Sequence, residues 1–420
     1  MGIALVFLAC FAAFILSVPA ASHTGLMTWL SIACAATSFV AMAINQVLAT
    51  RWKFLEPLFG GLDRIYRVHK WTGISAFVLF LVHYFVTPDF KGKLLASALN
   101  NFAALMGEWG FYGLTALIAI SIFKRLPRTK FEFPYHIWRQ THRFIGVFFI
   151  LIAFHFLFIK RPFDGSALLV SYLVIFAILG ITAFVYTQIR SFLHTRSYVV
   201  TAVDKAHGAT VITAEPVKGA IKARPGQFAF IAAGKPGLRE PHPFTIAGHD
   251  MGEDGKMRLT FAIKPLGDYT SRLREGIAVG DRMSIEGGYG RFTAHRGGEK
   301  QLWVAGGVGV TPFLAMAKAA GDMKDKKIHL FYCVREPAEA IGADRLTDAA
   351  VNENFSYTLH SSNTDGRVSA EVVRDKAGFD LNGADLWFCG PPGLREALVK
   401  GFKELGVKLA RVEFERFEFR

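Results

Sequence analysis

Long apolar stretches dominate the first 190 residues of this 420-residue chain, at about 3–21, 28–50, 70–87, 105–123, 143–159 and 166–189. Each is close to the ~20 residues that cross a hydrocarbon core of about 30 Å, so the pattern predicts six transmembrane helices. From about residue 197 the pattern shortens and alternates. "SYVVTAV", "ATVITAEP", "RPGQFAFIAA" and "MRLTFAIKP" read as strands punctuated by turns. A compact antiparallel barrel over roughly 197–296 is the expectation. After residue 300, apolar strands alternate with helical stretches, as a parallel α/β sheet requires. The chain is therefore read as multi-domain: a six-helix transmembrane bundle (1–192), an antiparallel β-barrel domain (193–297) and an α/β parallel-sheet nucleotide domain (298–420).

Charge changes this picture by giving it a direction. The formal net charge of +14 would suit a nucleic-acid partner if the cations covered a folded surface. They gather instead in loops: segments 51–70 and 124–143 carry five and six Lys or Arg, against two each in 88–108 and 160–165. The positive-inside rule then puts both termini and the C-terminal domains in the cytoplasm of a multi-pass protein of the cell (inner) membrane. Membrane lipid is an expected partner and nucleic acid is not. Residues 1–21 resemble a signal peptide, with Ala20 and Ala21 near a cleavage point, but no Lys or Arg precedes the apolar run, so it is read as the first span. Cys10, Cys34, Cys333 and Cys389 form no CxxC pair, which argues against a disulfide framework or a zinc site.

Two spans carry paired histidines: His69 and His83 in the third, His142 and His155 in the fifth. Ionisable groups inside a bilayer are costly and mark function. Fourteen residues of helix rise about 21 Å and return to within about 40° of one face, so His69 and His83 can both look into the bundle. Thirteen residues turn about 220°, so His142 and His155 require a helix distortion or a frayed first turn. Two histidines at matched depth on neighbouring helices can fill both axial positions of a haem iron, which suits electron transfer. The pairs are His69 with His142 and His83 with His155. His136 competes with His142 for the first pair, and Pro134 before it suggests a loop.

Glycine-rich turns mark the soluble half. "HPFTIAG" (242–248) places a Pro-restrained backbone and the Thr245 hydroxyl at a strand start, and "GDYTSRL" (267–273) opens a helix whose free N–H groups could receive a phosphate. "QLWVAGGVGVTPF" (301–313) runs strand, glycine turn, helix: Gly306, Gly307 and Gly309 let backbone amides approach a pyrophosphate, and Pro312 suits a first helical turn. Arg335 ends the strand of "IHLFYCVRE", where a cation could hold a ribose phosphate. Cys389 ends the strand of "DLWFCGPPGLREAL", where sheet ligands bind.

With these motifs in place, the soluble half resembles flavin dehydrogenases of the ferredoxin-NADP reductase type. The histidine-bearing spans ahead of it resemble the NADPH oxidase and ferric reductase family of transmembrane flavocytochromes, and the likeness covers essentially the whole chain. It implies FAD, NADPH and two haems, expected to be of b type. It implies that His242, Pro243, Phe244 and Thr245 hold the isoalloxazine and ribityl region of FAD, and that Gly267, Tyr269 and Thr270 line its diphosphate. Gly306, Gly307, Gly309, Thr311 and Pro312 would take the NADPH pyrophosphate and Arg335 its adenosine end. Cys389, Gly390 and Pro391 would lie by the nicotinamide, with Phe417, or its rival Phe419, covering the flavin. The implied activity is oxidation of cytosolic NADPH with superoxide released outside. The alternatives are reduction of an external ferric or cupric chelate, or electron donation to an extracytoplasmic partner protein. Two departures stand out. No calcium-binding segment precedes the first span, so calcium is not expected to be needed. The outward half of the second span, "MTWLSIACAAT", holds no Arg or His above the outer haem, which leaves the acceptor open between oxygen and a metal.

Overall fold

The structure, a computed structural model, describes residues 1–21, 24–87, 97–123, 135–160, 166–252 and 255–415. The chain divides into two compact units, Met1–Ser191 and Phe192–Arg420.

The first unit is helical: α1 (Gly2–Ala21), α2 (Leu26–Leu48), the single turn α3 (Glu56–Phe59), α4 (Leu62–Val86), α5 (Ala98–Ile122), α6 (Tyr135–Arg143), α7 (Ile145–Phe158) and α8 (Ala167–His194). Among the described residues, five stretches are long and apolar enough to cross a membrane, with Ile137–Phe158 counted as one. The sixth long helix, α4, has 25 residues, but its first turns carry Asp63, Arg64, Arg67 and Lys70. The expected six-helix bundle is therefore present. Two helices begin earlier than the apolar pattern, α4 at Leu62 rather than 70 and α5 at Ala98 rather than 105. Local chemistry extends them. Ser97 caps α5 by accepting from the Asn100 amide, a signal carried by a polar side chain that a hydropathy window does not register. Before α4, Gly60 and Gly61 take φ of +91° and +136°, ending one helix and aiming the next.

Within this unit α2 packs on α1 and α4, and α5 packs on α7. Phe39 stacks on Phe149 at 5.3 Å. A Cβ on Gly180 would fall 2.6 Å from the Phe149 ring and 3.0 Å from Ala43 Cα, so glycine is what lets α8 approach this centre. The fifth span is broken at Phe144. There the bonds run i to i+3, Phe144 N to Thr141 O at 3.0 Å and Val147 N to Phe144 O at 2.9 Å, which tightens the turn and resets the helical register. His142 and His155 lie on opposite sides of this break, which is the distortion that their spacing required.

The second unit opens with a closed barrel of β1 (Arg196–Asp204), β2 (Thr210–Pro216), β3 (Phe228–Ala233), β4 (His242–Met251), β5 (Met257–Ile263) and β6 (Arg282–Tyr289). Its order is β1-β2-β5-β4-β3-β6, antiparallel throughout, as the alternating pattern predicts. Helix α9 (Asp268–Gly276) follows β5 and sends Tyr269 and Leu273 into the barrel core with Ile212, Phe261 and Ile285. A parallel sheet follows, with β7 (Lys300–Gly306), β8 (Lys327–Val334), β9 (Phe355–Ser361), β10 (Asp385–Cys389) and β11 (Arg411–Phe414) in the order β11-β10-β7-β8-β9. Between these strands run α10 (Thr311–Lys318), α11 (Ala343–Ala349), the turn α12 (Ser362–Asp365), α13 (Ala370–Lys376) and α14 (Pro392–Glu404). Trp303, Phe313 and Trp387 fill one face of the sheet, and Phe331, Phe388 and Phe402 fill the other.

In the barrel wall the buried Tyr198 phenol accepts from the Ile221 amide at 2.9 Å. Replacing Tyr198 by Phe leaves that amide without its partner and is expected to destabilise this unit by about 1–3 kcal/mol, measured as a lower thermal midpoint of the purified protein.

Candidate functional site

The helical unit gathers its chemistry around four imidazoles. The rings of His69 and His142 have centroids 6.1 Å apart. Two imidazoles trans on one metal, with bonds of about 2 Å, place their centres roughly 6 Å apart, so this pair fits a single ion between them. The side chain of His136 lies outside the described residues.

The other ring nitrogen of each histidine is engaged. His69 Nδ1 meets Asn45 O at 3.2 Å, and His155 Nδ1 meets Ala103 O at 2.9 Å. Carbonyls only accept, so in both rings Nδ1 carries the proton. His142 Nδ1 is 2.9 Å from Ser121 Oγ, whose own proton goes to Leu117 O at 2.7 Å, so here too Nδ1 donates. His83 Nδ1 faces Ser31 Oγ at 2.9 Å and Ser31 O at 3.1 Å. Among the described residues no Nε2 of the four takes a hydrogen bond. Nδ1 tied to a neighbouring oxygen with Nε2 left over is the posture of a metal-bound imidazole. The sequence reading missed Ser31, Asn45, Thr87, Ala103 and Ser121. One signal was available: Ser31 and Asn45 stand fourteen apart, the same interval as His69 and His83.

In the barrel, β4 splits its four candidate residues between two faces, as strand alternation dictates. His242 and Phe244 turn to Tyr269, with ring centroids at 3.8 and 6.5 Å. Pro243 pairs with Phe230 across the sheet. Thr245 is buried, and its Oγ1 lies 3.5 Å from Glu415 Oε2, a carboxylate that the sequence reading passed over. Burial, followed by the charge of Glu240, pushes the Tyr269 phenol well up, so it acts as a neutral group. At the start of α9 the Leu266 and Gly267 amides, which precede its first turn, donate to Thr270 Oγ1 at 2.9 and 3.0 Å. The hydroxyl closes the turn itself, as helix-start Ser and Thr residues do.

In the sheet, two turns meet at the ends of adjacent strands. Ala305 of β7 pairs with Cys389 of β10. A Cβ on Gly309 would fall 2.2 Å from Cys389 O, one on Gly306 2.7 Å from Pro391 Cδ, and one on Gly390 2.9 Å from Gly306 N. Gly307 sits at φ +55°, a left-handed conformation that glycine alone adopts freely. Thr311 and Pro312 then start α10. Cys389 is fully buried; burial, with Glu415 adding, raises its thiol well above the ordinary range. It is therefore a neutral thiol rather than a nucleophile. Arg335 is exposed at the end of β8. Its carbonyl is held by Ser361 Oγ at 2.8 Å and the Asn363 amide at 3.1 Å, which fixes the backbone from which the guanidinium projects. Phe417 and Phe419 lie outside the described residues.

Comparison with known proteins agrees with both halves. The model of the ferric reductase-like transmembrane component matches residues 24–153, and that of the oxidoreductase NAD-binding domain matches 303–400. The probable dihydroorotate dehydrogenase B (NAD(+)) electron transfer subunit of Thermococcus kodakarensis is 30% identical over 199 residues, covering 47% of this chain and 75% of that protein. The toluate 1,2-dioxygenase electron transfer component of Pseudomonas putida is 28% identical over 199 residues, covering 46% of this chain and 58% of that protein. The chain spans 55% to 58% of the length of the first curated relatives that it matches. A flavohemoglobin from Malassezia yamatoensis, solved with bound FAD and heme, superposes with a TM-score of 0.50 at 14% identity, over 96% of this chain and 99% of that one, a likeness of fold alone. The helical region, the barrel and the sheet thus place an oxidoreductase NAD-binding domain behind a ferric reductase-like transmembrane component. The chain joins a ferric reductase-like transmembrane component to an NAD-binding domain of the ferredoxin-NADP reductase type, which is the architecture of the NADPH oxidase and ferric reductase family.

The contact between the two turns makes a direct prediction. Gly309→Ala forces a methyl against the Cys389 carbonyl and is expected to cost about 1–3 kcal/mol or more and to abolish saturable NADPH binding. Titration of the purified variant with NADPH, against a wild-type control, is the check.

Proposed function

We propose that this chain is a transmembrane NADPH oxidase, moving electrons from cytosolic NADPH through FAD and two histidine-held haems to oxygen on the outer face, with superoxide as product. The observation that carries the reading is the common posture of the four membrane histidines, each with Nδ1 tied to a neighbouring helix, together with the 6.1 Å spacing of His69 and His142. When bound, FAD supplies the change from hydride to single electrons, and the haems supply one-electron steps across the hydrocarbon.

The residues supply placement. His69 with His142 would hold the haem nearer the cytoplasm and His83 with His155 the outer one. With two histidines held to each haem, the protein would offer oxygen no further ligand position there. His242, Phe244 and Tyr269 offer ring faces to the flavin side, and Thr245 with Glu415 offers a hydroxyl and a carboxylate. The backbone of Gly306, Gly307 and Gly309 admits the pyrophosphate of NADPH, and Arg335 meets its 2′-phosphate. Cys389, as a neutral thiol, packs beside the nicotinamide with Gly390 and Pro391.

The match to a ferric reductase-like component favours a second reading, in which an external ferric chelate replaces oxygen. NADPH consumption by the purified protein, with and without oxygen, separates the two. Consumption that stops without oxygen and is accompanied by dismutase-sensitive dye reduction supports the oxidase. Anaerobic consumption driven by a ferric chelate alone supports the reductase.

Two predictions follow from the residue roles. Pyridine haemochrome analysis is expected to give two haems per chain, and His83→Ala to give one, with bleaching of the flavin by NADPH retained because the dehydrogenase motifs are separate in sequence. For Arg335→Ala, loss of a charge-assisted hydrogen bond of about 1.5–3 kcal/mol is expected to raise the KM for NADPH roughly ten- to a hundred-fold. The KM for NADH, which lacks that phosphate, should change little. An unchanged NADPH value would place the phosphate elsewhere.

A further inference from the structure

The four ring nitrogens are not tied alike. His69 and His155 donate to bare main-chain carbonyls, and His142 donates to a hydroxyl whose proton returns to its own helix. At His83 two hydroxyls converge. Ser31 Oγ lies 2.9 Å from Nδ1 and Thr87 Oγ1 lies 3.3 Å from it. The hydroxyls are 2.7 Å apart, and Thr87 Oγ1 donates to the His83 carbonyl at 2.5 Å. If Nε2 is to be left for a metal, Nδ1 must carry the ring proton, and that choice orders the rest. Nδ1–H has two acceptors on Ser31, Oγ at 2.9 Å and the main-chain carbonyl at 3.1 Å; directed to the nearer Oγ, it sends the Ser31 proton to Thr87 Oγ1 and the Thr87 proton to the His83 carbonyl. Each hydroxyl donates once and accepts once, and the series closes on the residue from which it began. Donors in series polarise one another, so Ser31 accepts more strongly than a lone serine would.

We propose that Ser31 and Thr87 are positioning residues that act through His83, fixing its Nδ1–H tautomer and strengthening it as an axial donor, so that the outer haem has a lower midpoint potential than it would with the ring unsupported. The physical step is general. The more the Nδ1 proton is drawn toward an acceptor, the more electron density Nε2 offers, which favours the oxidised metal. A lower outer potential makes that centre a stronger reductant toward whatever meets it outside. The proposal rests on the haem reading above, and its test separates the two.

The test is a potentiometric titration of the purified full-length protein, followed by reduced-minus-oxidised absorbance, with His83→Ala identifying the inner component. Ser31→Ala is expected to move the outer midpoint upward and leave the inner one in place. Thr87→Val should move it the same way by less. Because the hydroxyls act in series, the double variant should shift it no further than Ser31→Ala alone, whereas independent effects would add. Ser31→Thr, which keeps the hydroxyl, should stay at the wild-type potential. Should Ser31→Ala fail to retain the outer haem, Thr87→Val decides, since Thr87 is exposed at the end of α4 and its side chain packs no core. An outer midpoint unmoved by Thr87→Val, or additive shifts in the double variant, overturns the proposal. A protein with no haem absorbance overturns the haem reading itself.

Discussion

An imidazole inside an apolar helix bundle has one nitrogen too many. If Nε2 serves a ligand, Nδ1 carries a proton that lipid cannot accept, and an unpaired polar group in such surroundings costs several kcal/mol. The helical unit is arranged around that constraint. Ser31 and Asn45, fourteen apart on α2, meet His83 and His69, fourteen apart on the antiparallel α4. A slip of one turn, about 5.4 Å, would undo both contacts together. On the other side, α5 supplies Ala103 and Ser121 to the histidines that flank the break at Phe144. Helix register, which van der Waals packing alone defines weakly among apolar residues, is thus specified by hydrogen bonds at four points.

The second unit solves its placement problem with the opposite material. At the ends of β7 and β10 the decisive feature is what is missing: no Cβ fits at Gly306, Gly309 or Gly390. Two turns come into backbone contact because parallel pairing delivers Ala305 and Cys389 side by side, and the helices that follow, α10 and α14, start from there. The amides near such a crevice are where an open parallel sheet binds its ligand. The final strand, β11, brings a charge to this neighbourhood, since Glu415 follows it toward both Thr245 and Cys389. That short segment brings the barrel and the sheet to a common point within this unit.

Much of this was legible in the sequence, and what was not has identifiable reasons. Hydropathy located the spans because a bilayer demands continuous apolar length. Alternation separated barrel from sheet because the two bury one face and two faces of their strands respectively. Histidines at intervals of fourteen and thirteen stood out because ionisable groups are rare in spans. The early starts of α4 and α5 were hidden, since their first turns are polar and rest on glycine geometry and a serine cap. The break at Phe144 was inferred only as a need, because nothing in "THRFIGV" names the residue where i to i+3 bonding takes over. Ser121 and Ala103 carry no pattern at all; a main-chain carbonyl becomes a partner through tertiary approach. Glu415 is one acid among three in "VEFERFEFR", and its contacts depend on how the last strand pairs.

The two kinds of site fail in opposite ways. In the helices, the polar arrangement is concentrated in side chains, so the damaging change is a deletion: losing an imidazole leaves its partner oxygen without a donor, and losing a hydroxyl or shifting a carbonyl reorients a ring. In the nucleotide crevice, function is concentrated in exposed backbone, so the damaging change is an addition: a single methyl at Gly309 meets the Cys389 carbonyl with no flexible neighbour to yield. The difference reflects what each medium leaves available. Lipid offers no hydrogen-bond partners, so each polar side chain there must be bound within the protein and becomes specific by necessity. In the soluble unit, water can satisfy exposed amides until a ligand arrives, and a site can consist of little more than the places where side chains are absent.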